Sequence, residues 1–215
     1  MSSLLAGSRQ RVGADRHAVT PYIMAWSAEQ DPPVMLVECP GGGIAYQDET
    51  VADRDRNGVL WFRTPFRPGQ GRPEFGRVHP LRQRRTMQRL LCQVCAGPAN
   101  QTEDGVLWLL KDHREDWPSW PNGMGVTEPP ICLSCVEVSL RLCPALRKGA
   151  AVVRAGSFVV AGVHGTLYRG GHRLVTVGAA TVAFEDPAIR WVRAVSLVRE
   201  LQDCTVLPLA DLVDE

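Results

Sequence analysis

Four of the seven cysteines in this chain of 215 residues fall into two pairs of identical spacing, Cys92/Cys95 in "LCQVC" and Cys132/Cys135 in "ICLSC". A Cys-x-x-Cys turn points two thiolates at one spot, and two such turns supply the four sulfur ligands of a tetrahedral zinc site. In a reducing compartment, paired spacing of this kind marks metal ligation rather than disulfides. One Zn2+ held by Cys92, Cys95, Cys132 and Cys135 is therefore expected. The rival arrangement is four unmetallated cysteines in a core, a place where free cysteine is common. A closed four-thiolate site leaves no open position for water or substrate, so the expected role of the ion is structural. Cys143, about two helical turns past Cys135, is expected to pack in the core.

The elements around the pairs must bring them together. "HPLRQRRTMQRLLCQVC" reads as a helix running into the first pair, with Pro80 in its first turn and Leu81, Met87, Leu90 and Leu91 on an inner face. After Cys95 the "EDG" triplet signals a hairpin, and the proline-rich residues 114–130 form an irregular excursion. "VEVSLRL" then gives a helix starting at the second pair, with Val136, Leu140 and Cys143 on one side. A knuckle, a hairpin, an excursion and a helix carrying the second pair resemble the treble-clef class of zinc modules. That resemblance implies an α+β protein with small antiparallel sheets around a treble-clef-like four-cysteine zinc module.

On either side the chain reads as β-rich. Residues 1–78 hold strand-like runs, with "MSSLLAGSRQRVGADR" as a loose arm. Residues 64–80, rich in Pro, Gly and Arg, read as a linker or an irregular surface segment. The zinc module with its basic helix and long insertion occupies residues 79–148, and residues 149–215 hold β-strands plus an amphipathic helix. Asp186 can cap that helix and Pro187 open it, with Ile189, Val192, Val195, Leu197, Val198 and Leu201 as its apolar side. "CTVLPLADLV" is expected as a short strand or docking tail.

Between the cysteine pairs lie Asp112-His113 and then Asn122. HNH-type endonucleases are treble clefs with such residues between two Cys pairs, so the module is distantly HNH-like. The resemblance implies His113 as a general base beside a divalent ion, with Asp112 and Asn122 in support. The spacing departs from that family, and the helix after Cys135 lacks the histidine that completes its catalytic metal site. Over most of its length the chain is similar to an uncharacterised actinobacterial, Streptomyces-type family, on "GRPEFGRVHPLRQRRTMQRLLCQVC", "DGVLWLL" and "PPICLSCVEVSLRLCPAL". No activity comes with that likeness.

Charge suggests a binding function. The net charge of +1 creates no field over the whole protein, and only Lys111 and Lys148 among the 24 basic residues are lysines. A GC-rich genome explains such arginine enrichment, and so does phosphate binding. Eight arginines lie between Arg63 and Arg89 against one acid, Glu74. On the helix before the first knuckle, Arg82, Arg85 and Arg89 share a face that can follow the phosphates of DNA or RNA. The alternative is a solvated face paired with the acidic stretch "DETVADRD". A protein-protein adaptor is the third reading. Trp108, Trp117 and Trp120 are expected as a lid over the zinc module, or as anchors for a protein partner if exposed.

Other residues carry weaker signals. His164 and His172 flank a turn without carboxylate company, and Cys39 in "ECPGGG" is expected to pack in the core. The glycines fit neither the P-loop nor the dinucleotide fingerprint. No segment approaches the roughly 18 apolar residues of a membrane span, and "LLA" near the start is too short for a secretory signal, so a cytoplasmic protein is expected.

Overall fold

In the computed structural model the described residues are 20–208. The expected N-terminal arm and the end of the C-terminal tail lie outside them. The N-terminal elements are β1 (Met24–Trp26), β2 (Leu36–Glu38), β3 (Ile44–Tyr46), β4 (Leu60–Trp61) and β5 (Pro73–Val78). The centre holds α1 (Pro80–Arg89), β6 (Gln101–Thr102), β7 (Gly105–Lys111), β8 (Met124–Val126) and α2 (Leu133–Leu142). Three long strands follow, β9 (Ala150–Arg169), β10 (Val175–Ala183) and β11 (Val192–Leu207).

Helix and strand are mixed, as expected, but the principal sheet is not small. Seven strands form it in the order β4-β11-β9-β7-β6, with β10 added to β9 and β8 to β11. β9 and β11 pair antiparallel along most of their length and make its spine. On the outer edge of β9, β7 pairs with Ala150–Ala155 and β10 with Gly162–Arg169. β4 joins β11 in parallel. Two-stranded ladders β1–β5 and β2–β3 complete the strands, so the expected linker at 64–80 contains β5.

The C-terminal helix is the main correction. Asp186 does accept the Ala188 N–H, and Pro187 does open a turn, but it is a single 3-10 turn, Pro187–Trp191. β11 follows at once. Its β-branched valines suit a pleated strand. The register shift at Ala194/Ser196 leaves Val195 as an extra residue in β11, and Ser196 to Arg199 are buried without alternation. One extra residue and a stretch covered on both faces make a period of two resemble a helical spacing.

Helix α1 begins at Pro80 as its sequence predicts, yet its inner face is polar. Leu81 is 46% exposed, whereas Arg82, Gln83, Thr86 and Met87 are buried. Gln83 explains why. Its amide nitrogen donates to the Leu197 carbonyl (2.9 Å) and the Thr127 carbonyl (2.8 Å), and its oxygen accepts the Leu197 N–H (2.9 Å). It thereby serves the edge of β11 in the gap between β4, at Arg193 and Ala194, and β8, at Arg199 to Leu201. Arg199 of β11 returns the contact, donating to the Met87 carbonyl near the helix C-terminus (2.7 Å), where a cation is favoured.

β7 carries the apolar run "GVLWLL" because both of its faces are covered. Val106, Trp108 and Leu110 pack with Trp120, Val126 and Leu201. Leu107 and Leu109 pack with Cys92, Ile131, Cys135 and Val136.

Candidate metal centre

The first pair occupies the turn that follows α1. Leu90 stops the helix in a left-handed conformation (φ 51°), and the chain folds back so that Cys92 donates its N–H to the Gly97 carbonyl (2.7 Å). Inside this loop the Ala96 N–H reaches the Cys92 carbonyl (2.9 Å) and the Val94 N–H points at the Cys92 sulfur (3.4 Å). The second pair is set by a helix start. Cys132 is the extended N-cap residue of α2, and Cys135 falls in the first turn. Backbone bonds tie the two turns together: Gln93 N–H to the Pro130 carbonyl and Asn100 N–H to the Ile131 carbonyl, each 3.0 Å, and Ile131 N–H to the Leu107 carbonyl of β7 at 2.9 Å. The hairpin β6–β7 lies between, turning at Glu103 and Asp104 as "EDG" predicts.

All four sulfurs lie within 4.8 Å of one another, and all are free thiols. Cys95 and Cys132 sulfurs are 3.8 Å apart. A regular tetrahedron with metal–sulfur bonds of about 2.3 Å has edges of about 3.8 Å, so this separation suits an ion and is far too long for a disulfide. The four cysteines are arranged to bind a metal ion. Among the described residues no other group of three or more His, Cys, Asp or Glu side chains converges in this way.

As bare thiols the four differ. Burial resists ionisation of Cys132, but hydrogen bonds from the Ser134 hydroxyl and the Cys135 amide outweigh it and bring the thiol down to about 7. Burial raises Cys92, and burial together with the Cys132 contact pushes Cys135 well up. One thiolate forms readily and its neighbours then resist a second negative charge. A divalent cation removes that conflict, because it replaces the protons and neutralises the cluster.

The other expected site residues are dispersed. Asp112 holds Arg114 (2.9 Å), His113 holds Asp116 (3.0 Å), and Asn122 accepts the Cys204 N–H of β11 (3.0 Å). Each has a local structural partner. His164 meets Thr181 (3.1 Å), and His172 is exposed in the β9–β10 turn. Cys39 is half-buried and lines a groove of about 610 Å³ with Arg54 and Arg190, and Cys143 ends α2 half-buried, so neither is a core residue. The three tryptophans are not a lid over the metal centre. Trp108 and Trp120, with Trp117 against them, fill the opposite face of β7.

The arginine face is divided. Arg85 and Arg89 are exposed, but Arg82 is 1% exposed and grips Glu29 with both terminal nitrogens (2.7 and 2.6 Å). Arg82 therefore has no access to an external phosphate. Glu29 also accepts the N–H groups of Trp26 and Arg67. Burial alone would raise its carboxyl, but Arg82 and these amides hold it at about 2. His79 lies beside the pair, and burial and the Arg82 charge lower its imidazole. Nearby, Arg63 engages Asp48 and Asp53, and Arg54 engages Glu49, so part of the basic segment is paired with the acidic stretch. Sequence reading missed the Glu29–Arg82 pair, since the partners are 53 positions apart.

In comparisons with known proteins, no family model, curated protein or solved structure matches this chain. No helix among the described residues is long and apolar enough to cross a membrane.

Proposed function

We propose that the chain is a zinc-stabilised binding protein in which Cys92, Cys95, Cys132 and Cys135 hold one Zn2+ in a treble-clef-like module, with the ion in a structural role. The convergence of four sulfurs at tetrahedral spacing carries this reading. Four thiolates favour zinc, with iron as the other ion that such a site accepts. They close the coordination shell, so the ion supplies a cross-link between α1's turn and α2 and does not activate a water. Metal analysis of the purified chain tests it. One zinc per chain, lost in Cys92→Ser with undocking of α2, is the expected result; no stoichiometric metal, or stoichiometric iron, refutes it.

Arg85 and Arg89 support nucleic acid as the bound partner. They stand one helical turn apart on the outer side of α1, and neither has an ion-pair partner among the described residues. Two cations so spaced can reach successive phosphates, and the affinity they add falls with salt. Retention on duplex DNA or RNA should weaken in Arg85→Glu/Arg89→Glu while the fold persists. Unchanged retention would leave a protein partner as the reading to pursue. His113→Ala, by contrast, should leave zinc content and binding unaltered.

A further inference from the structure

We propose that β10 is a dimerisation edge, where a second copy of this chain adds its own β10 in antiparallel fashion and joins two seven-stranded sheets into one. β10 reads "VTVGAATVA", with no charge and no proline. Among the described residues its only ladder partner is β9, which leaves the other edge open. Only Val182 is buried, while Val175 and Val177 are 49% and 55% exposed. Edge strands that stay unpaired are normally short, charged or interrupted by proline. This one has a single blunting device, a register shift between Thr176 and Gly178. Beyond it the strand is regular from Gly178 to Ala183, long enough for a ladder.

The charges at its two ends argue for a second copy over any other occupant. Arg173 precedes the strand, and Glu185 and Asp186 follow it; all three are exposed, and Arg173 and Glu185 form no ion pair among the described residues. An antiparallel two-fold arrangement reverses one copy on the other, so the basic end of each lies against the acidic end of its partner. Centred on Ala180, the ladder sets Ala179 opposite Thr181 and Gly178 opposite Val182. Small side chains meet along its middle, and Arg173 falls beside Glu185 and Asp186 at both ends. Main-chain hydrogen bonds provide the attraction, as in other strand additions, and the terminal charges fix the register.

Sedimentation equilibrium on the full chain, repeated across concentrations, tests the arrangement. The wild type should reach twice the monomer mass, and Val177→Lys should lower that mass toward the monomer. Arg173→Glu and Glu185→Arg should each weaken self-association at least about tenfold, because each sets like charges together twice in a dimer. Two rescues are specific to the antiparallel register. The double variant Arg173→Glu/Glu185→Arg should dimerise again, and so should an equal mixture of the two single variants. Circular dichroism and metal content, unchanged in every variant, exclude misfolding as the cause. A monomeric wild type at about 100 μM, or a dimer indifferent to these substitutions, overturns the proposal.

Discussion

Replacing Arg82 with glutamine should destabilise the protein far more than the same change at Arg85 or Arg89, although all three lie on one ten-residue helix. In Arg82→Gln, Glu29 keeps the Trp26 and Arg67 amides but loses the cation that offsets its burial. Two routes give the magnitude. A buried carboxyl drawn from its ordinary 4.5 to about 2 contributes roughly 3 kcal/mol at neutral pH, at about 1.4 kcal/mol per tenfold change in proton affinity. Removing one member of a buried ion pair independently costs about 3–5 kcal/mol. Exposed charge changes usually fall within about 0.5 kcal/mol. Urea unfolding followed by tryptophan fluorescence at pH 7 should therefore separate Arg82→Gln from the other two variants by at least about 2.5 kcal/mol.

The pH profile gives the sign. Glu29 is depressed in the folded protein, so its stabilisation is complete above its ordinary 4.5 and is lost as pH falls toward about 2. Asp53, held at about 2 chiefly by Arg63 against burial, loses its share from its ordinary 3.8 downward. The wild type should weaken steeply between pH 4.5 and 2. Arg82→Gln should start lower and weaken less over that window, because its Glu29 gains less from ionisation. Equal stabilities for the three arginine variants, or parallel acid limbs for wild type and Arg82→Gln, would refute the buried-pair account.

Three further outcomes follow from the packing. Gln83→Leu removes every polar partner of the Leu197 peptide in the gap of β11 and should cost about 2–4 kcal/mol in urea melts, despite adding apolar volume to an apolar surround. Gly105→Ala should cost more than about 2 kcal/mol, since φ is 124° and an added Cβ would lie 2.0 Å from the Ala155 carbonyl oxygen; a neutral effect on thermal midpoint would count against this hairpin. Chelation at pH 7 should unfold the α2 side first, seen as early amide exchange in residues 133–142, and an indifferent exchange pattern would deny the ion its structural role.

The metal centre was legible because its ligands are close in sequence and chemically specific. Spacing alone named Cys92, Cys95, Cys132 and Cys135, and the structure brings those four together. The hairpin at Gly105, both helix starts and the presence of strands from residue 149 onward were legible as well, through local turn chemistry and β-branched composition. What failed depended on long-range pairing. A bulge at Val195 and burial on both faces gave β11 a helical spacing, and α1 buried Arg82 and Gln83 against partners 53 and 114 positions away. Periodicity assumes that buried means apolar, and that assumption breaks where a polar side chain supplies a sheet edge or closes an ion pair. The exposed Arg85 and Arg89 were indistinguishable from Arg82 by helical spacing, because partner rather than position decides which of them is buried.

Burial around α2 shows why an ion belongs at this place. The helix is ten residues long, below the length at which an isolated helix is stable in water, and buries only Cys135 and Val136 fully. Its partner face on β7 and β9, Leu107, Leu109 and Val152, is well covered only if α2 stays docked. Two buried side chains supply roughly 3–5 kcal/mol, well short of the roughly 10–20 kcal/mol that ordering a segment of this length costs. The other face of β7 has no such deficit, because Trp108, Trp120 and Leu201 fill it. A metal joining Cys132 and Cys135 to Cys92 and Cys95 would supply the missing term on the thin side alone. Loss of the ion is thus expected to expose Leu107 and Leu109 while the tryptophan face and the β9–β11 spine persist.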